Sequence, residues 1–249
     1  LERMENDDPA IFKMISEGDT DGVFQLEGAG MRSFLTNMKP ANFEDIIAAI
    51  SLYRPGPMDS IPRFIAGKQN PSSVKYAHPM LEPILKVTYG CLVYQEQVMQ
   101  MVRDMAGYSM GRSDLVRRAM AKKKHDVMSR EKEIFIHGKV EPDGTISVPG
   151  AVRNGVSEEI ANQLFEEMTA FASYAFNKPH AAGYAVVALQ TGWLKRHYPA
   201  EFMAATMNSV SGNSEKVAFY IQYLRKKGIP VLPPDVNFSQ AKFSVNPTP

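Results

Sequence analysis

Apolar positions along this chain recur mostly at spacings of three and four, the period of a helix buried on one face. Gly or Pro interrupts nearly every such run. Pro9–Glu17 predicts a short helix, opened by a proline whose missing N–H is no loss there and closed by Gly18. Gly18-Asp-Thr-Asp-Gly22 reads as a turn and Val23–Leu26 as a strand. Asn42–Tyr53 predicts a helix with Phe43, Ile46, Ile47 and Ile50 on one face, Asn42 as N-cap and Asp45 in its first turn. It must stop before Arg54-Pro55-Gly56-Pro57, because a residue ahead of proline is pushed out of the α region. Residues 68–79 read as a polar loop. Leu92–Ala106 predicts a long helix with Val98, Met101, Val102 and Met105 as its stripe and Gly107 as its cap. A shorter helix over Ser113–Lys124 collects Leu115, Val116, Ala119 and Met120 on one side. The methionines here, Met99, Met101, Met105, Met110 and Met120, read as core filler.

Residues 129–137 continue helical and charged. Val140–Val148 predicts a β-hairpin turned by Asp143-Gly144. Ser157 caps a helix with Glu158 and Glu159 in its first turn and Ile160, Leu164, Met168 and Phe171 as its stripe. Pro179 opens a helix to about His197, Pro199 another to about Asn208, and Ser214 caps a last one. Arg225, Lys226 and Lys227 complement the dipole of that last helix, and Gly228 ends it. Ile229–Leu232 reads as a strand. The expected fold class is mainly α: many helices with one small β-hairpin and short strands. Residues 1–228 form the helical domain, and 229–249 begin a following segment.

A chain of 249 residues that is 44% hydrophobic and 22% charged can bury a sizeable core. Its one cysteine, Cys91, allows no disulfide within the chain, which suits a reducing intracellular setting, and it reads as a packing residue. No apolar run reaches the length of a membrane span, and the first residues lack a signal-peptide pattern. With no initiator Met and an abrupt end, the chain is expected to be a piece of a longer protein.

Charge is balanced overall, 28 basic against 27 acidic residues, so local excess stands out. From Arg112 to Lys124 there are six basic residues and one acid, Asp114. A basic face on a balanced chain fits an anionic partner such as phosphate; the plain alternative is a solvated helix face. Arg54 sits on a stiff proline-bounded corner, which would either preorganise a charge contact or form an ordinary turn. A second polar cluster, Asn177, Lys178, His180 and Tyr184, is set among small residues where a helix begins. A helix N-terminus flanked by Lys and His is suited to an anion, while His180 alone would serve equally as a structural histidine. Asp19 and Asp21 admit a metal reading, but as a pair in a glycine-flanked turn they read as turn residues. The chain has no P-loop, dinucleotide fingerprint, nucleophile elbow or Cys/His metal spacing.

Several stretches, in order, resemble the alpha subunits of bacterial DNA polymerase III, the C-family replicative polymerases. They are Gly18–Glu27, Leu52–Met58, Tyr89-Gly90 with Tyr94–Gln97, Asp114–Met120 with Lys122–Lys124, Phe176–Tyr184 and Leu232–Asn237. The context is closer to the widespread form than to the form with an inserted exonuclease. The Asp143-Gly144 hairpin looks like an insertion, and Pro179 and Gly183 stand where Ser and Ala are more usual. The resemblance implies a fingers domain, mostly helical, that binds an incoming deoxynucleoside triphosphate. On that footing Arg117 and Arg118 are expected on the triphosphate with Lys122 in support. Arg54, Asn177, Lys178, His180 and Tyr184 would line the triphosphate or the nascent base pair and template. The catalytic aspartates and their Mg2+ would belong to the palm, outside this chain, leaving it inactive alone. Primer–template DNA, nucleotides and other replisome subunits are the implied partners, in the bacterial cytoplasm at the nucleoid. A non-catalytic nucleic-acid-binding module and a helical replisome scaffold are the alternatives.

Overall fold

Twelve α-helices, four short 3-10 helices and one two-stranded antiparallel sheet make up the regular structure of the residues described by the computed structural model, which are 4, 6–122 and 125–245. Lys123 and Lys124, the end of the expected basic run, lie outside the described residues. The helices are α1 (Pro9–Ser16), α2 (Ala29–Met38), α3 (Phe43–Leu52), α4 (Ile61–Gln69), α5 (Glu82–Leu85) and α6 (Gln95–Ala106). They continue as α7 (Met110–Ala121), α8 (His125–His137), α9 (Glu158–Ala172), α10 (Lys178–His197), α11 (Pro199–Ser209) and α12 (Ser214–Lys226). The sheet pairs β1 (Lys139–Val140) with β2 (Ile146–Val148). The chain forms two compact units, residues 44–184 and residues 1–43 with 185–249. No helix among the described residues is long and apolar enough to cross a membrane.

In residues 44–184 the core is built by α6 to α9. Val98, Met101, Val102 and Met105 of α6 meet Val116 and Met120 of α7, Phe135 and Ile136 of α8, and Leu164, Phe165 and Met168 of α9. The four α6 side chains are all buried to 1% exposure or less. At roughly 1.5–3 kcal/mol each this stripe contributes on the order of 6–12 kcal/mol, an upper figure because unfolded chains already bury some apolar surface. Gly107 ends α6 in the left-handed region at φ 77° and lies against Pro149, so a side chain there would be both strained and crowded. The expected hairpin forms with its Asp-Gly turn: the Thr145 N–H donates to Asp143 Oδ1 at 3.0 Å.

In the other unit α1 packs on α2, and α11 on α12 through Met203, Met207, Tyr220 and Leu224. Asn213 caps α12, accepting the Lys216 N–H at 3.0 Å, one residue before the expected Ser214.

Several expected elements differ. Residues 24–26 form a turn and Val23 before them is irregular, with Val23 and Leu26 fully buried and Gln25 at φ 63°. A strand needs a partner ladder, and none is offered there among the described residues. Residues 229–232 are likewise irregular: Ile229 and Val231 pack against the Met203–Leu224 cluster while Leu232 is exposed. α2 and α4 form without having been expected, because Gly28, Gly30, Pro62 and Gly67 mask their period. Leu115 is 65% exposed and Met110 56%, so neither belongs to the core. The buried side of α7 is Ser113, Val116, Ala119 and Met120, a rotation that takes Leu115 outward and brings Arg117 inward.

Candidate functional site

Two short segments organise the site within residues 44–184: the start of α6 and the lead-in to α10. Tyr94 and Phe176 form an isolated parallel bridge, in which the Phe176 N–H donates to Val93 O at 3.2 Å and the Gln95 N–H to Phe176 O at 2.8 Å. Each residue of Tyr94–Gln97 then has its own task. Gln97 is buried; its Oε1 accepts the Val93 and Tyr94 N–H groups at 2.9 Å each, and its Nε2 donates to Thr88 Oγ1 at 2.7 Å. That satisfies its amide and locks the turn. Glu96 accepts the Asn177 Nδ2 and the Lys178 N–H, both at 3.1 Å. The Gln95 side chain donates to Ala175 O at 3.0 Å and accepts from Arg117 Nη1 at 3.1 Å.

The start of α10 is where an anion was expected, and the anion seated there is Glu96. A carboxylate on the first free N–H, that of Lys178, satisfies both hydrogen bonding and the helix dipole. Asn177 completes the cap by accepting the His180 N–H at 3.0 Å. Lys178 points its ammonium to Glu44, 2.9 Å away, and lies 5.3 Å above the Tyr94 ring. Burial, with Glu44 and Glu96 nearby, pushes the Tyr94 hydroxyl well above its ordinary range and keeps it protonated.

Planar groups climb from this segment. The Arg54 guanidinium lies 4.2 Å over Phe176, whose ring centroid is 5.6 Å from that of His180, which is 4.5 Å from that of Tyr184. His180 and Tyr184 are one turn apart on α10 and share a face, while Phe176 lies in the bridge just ahead of that helix and reaches His180 from there. Arg54 is fixed at both ends of its fork, Nη2 to Tyr174 O at 2.7 Å and Nε to Ser51 O at 3.1 Å. Burial lowers its pKa, although a guanidinium remains charged. Gly56 at φ 97° allows this corner, because a Cβ there would run into the Tyr174 ring. His180 is exposed and Tyr184 half-buried.

On α7, Arg117 and Arg118 share one carboxylate. Arg117 Nε and Nη2 donate to Asp114 Oδ1 at 3.1 and 2.7 Å, and Arg118 Nη2 lies 2.8 Å from Oδ2. The hydrogen bond from Arg117, with the charges of both arginines, holds Asp114 below its ordinary carboxyl range. Arg117 thus uses three of its five donors inside the protein, on Asp114 and Gln95, and two remain. It is half-buried and preorganised, whereas Arg118 and Lys122 are exposed. Arg117, Gln95, the 174–178 segment, Arg54 and the ring ladder therefore form one connected constellation.

The model of the bacterial DNA polymerase III alpha subunit finger domain matches residues 1–143. The chain belongs to that family. It is 48% identical over 249 residues to the DNA polymerase III subunit alpha of Thermus aquaticus, covering 98% of this chain and 19% of that protein. It is 44% identical over 239 residues to the subunit of the same name from Staphylococcus aureus strain Mu50, covering 96% of this chain and 21% of that protein. The chain thus spans about a fifth of the length of these relatives.

For a finger domain of this family, a metal site is the other element to test against the residues present. Among the described residues no group of three or more His, Cys, Asp or Glu side chains could hold a metal ion. The aspartates of the Gly18–Gly22 turn are taken by cations. Asp19 meets Lys195 at 2.8 Å, Lys227 at 2.6 Å and the Tyr223 hydroxyl at 2.8 Å, and Asp21 meets Arg32 at 2.6 Å. Burial opposes ionisation of Asp19, yet the hydrogen bonds from Lys195 and Lys227 outweigh it and hold the carboxyl low. Lys195 is itself buried, and desolvation lowers it. These donors do not fit a Mg2+ site.

Gln95, Glu96, Glu44, Asp114 and Phe176 were not singled out as site residues from the sequence. Asp114 was legible, since it stands three and four residues before Arg117 and Arg118. Glu96 and Gln95 act on residues about eighty positions away, which no local spacing reveals.

Proposed function

We propose that this chain is the fingers of a bacterial replicative DNA polymerase and that it grips the incoming deoxynucleoside triphosphate through α7. The observation that carries this is Arg117: half-buried, held by Asp114 and Gln95, and with two donors to spare beside exposed Arg118 and Lys122. Nucleotidyl transfer builds negative charge on the phosphates, and donors already aimed there stabilise it without reorganising. Arg can hold two phosphate oxygens in parallel, which Lys cannot. Arg118 and Lys122 extend the grip. Asp114 is then the counterion that the triphosphate partly replaces.

On this reading Arg54, Phe176, His180 and Tyr184 present planar faces to the nascent base pair or template, while Asn177 and Lys178 hold the start of α10 in place. The catalytic aspartates and Mg2+ are supplied by a palm outside this chain, so the chain alone is inactive. Residues 1–228 are the fingers, and 229–249 lead into the next segment. The partners are primer–template DNA, nucleotides and other replisome subunits, in the cytoplasm with the chromosome. In a full-length alpha subunit carrying this chain, Arg117→Ala raises the apparent KM for nucleotide or lowers kcat by a factor on the order of 100 with folding intact. Wild-type kinetics in that variant would remove the assignment.

A second reading draws on the exposure of Arg118 and Lys122: α7 binds a nucleic-acid backbone and no nucleotide. It requires this chain alone to bind primer–template duplex with an affinity that falls steeply with salt.

A further inference from the structure

We propose that Gln95 is a positioning residue for nucleotide capture, its side-chain amide tying the Arg117 guanidinium to the segment that bears Phe176. The phosphate grip and the ring ladder are thereby held in one register. This rests on the reading of Arg117 and the ladder proposed above.

Gln95 is the one described residue whose hydrogen bonds, as set out above, reach Arg117 and the 174–177 segment together. Its Oε1 takes the Arg117 Nη1 at 3.1 Å, its Nε2 gives to Ala175 O at 3.0 Å, and its N–H gives to Phe176 O at 2.8 Å. These partners fix the orientation of the amide. Flipped, it would set an NH2 against a guanidinium and an oxygen against a carbonyl. The neutral amide also suits the position chemically. Arg117 already faces one carboxylate, Asp114, and a second would compete with an arriving phosphate. Without the bridge, Arg117 keeps Asp114, which lies on its own helix and moves with it, but loses its hold on the 174–177 segment. The cost falls on capture of the nucleotide, where the two halves must agree, more than on the chemical step.

The test is single-nucleotide incorporation by a full-length alpha subunit carrying this chain, with Gln95→Met, Arg117→Ala and the double variant. Methionine keeps the shape of glutamine and removes both side-chain bonds. Gln95→Met is expected to raise the apparent KM for nucleotide about tenfold with kcat within about twofold. In the Arg117→Ala background the same change is expected to add less than about twofold, because the group it acts through is gone. An unchanged KM in Gln95→Met, or a full multiplication of the two defects, overturns the proposal while leaving the Arg117 reading intact. Wild-type kinetics for Arg117→Ala overturns both. Should Gln95→Met fail to fold, Gln95→Glu retains the shape and an oxygen for Arg117 but adds a competing carboxylate. Its KM is then expected to rise more than about tenfold, and an unchanged KM overturns the proposal.

Discussion

Replacing Arg54 by Lys keeps the charge at this corner and removes the geometry. The guanidinium bonds Tyr174 O at 2.7 Å and Ser51 O at 3.1 Å while its plane covers Phe176 at 4.2 Å. An ammonium can satisfy one carbonyl but has no flat face to stack and no second arm for Ser51. The stack is worth about 0.5–1 kcal/mol at a half-exposed site, and each carbonyl bond about 0.5–1.5 kcal/mol. Losing the stack and one bond therefore costs roughly 1–2.5 kcal/mol, and Arg54→Ala, which loses everything, roughly 1.5–4 kcal/mol. Urea unfolding of the chain followed by far-UV circular dichroism reads this as a fall in midpoint of about 0.5 M for the Lys variant. In the full-length subunit the Lys variant should also raise the apparent KM for nucleotide, because Phe176 loses the group that covers it. Equal urea midpoints for wild type and Arg54→Lys would refute the reasoning that the fork and the stack, and not the charge, hold this corner.

Two further outcomes follow from the described contacts. Glu96→Ala strips the start of α10 of both hydrogen bonds and of a charge complementary to its dipole, and should lower unfolding stability by about 1–2 kcal/mol. Glu96→Gln, which keeps an acceptor oxygen, should recover part of that in the same urea titration, and an unaffected Glu96→Ala would contradict the cap. Asp19 has a folded pKa below its ordinary 3.8. Its contribution is therefore fully present above that value and lost as pH falls through the lower folded value. Stability measured from roughly pH 5 down to pH 2 should fall less steeply in Asp19→Asn than in wild type, and parallel acid limbs would exclude the linkage.

The sequence by itself determined the helical fold class and most of its boundaries, because those depend on local facts. The stripe of α6, the glycine after it, the Ser157 cap of α9 and the Asp-Gly hairpin are each encoded within a few residues. It also carried the family and the two polar clusters, since their residues are contiguous in the chain. Tertiary structure decided what those clusters do to each other. The rotation of α7 that exposes Leu115 and draws Arg117 inward is set by packing against α6 and α9, which amphipathic spacing alone leaves ambiguous by a residue. The irregular course of residues 23–26 and 229–232 follows from the lack of a partner strand among the described residues, a property no single segment encodes. Glu96 at the start of α10, and Gln95 between Arg117 and Phe176, join residues about eighty positions apart. Hydrogen bonds over such separations are fixed by how the chain folds back, so only the folded chain could show that the two clusters are hydrogen-bonded into one constellation.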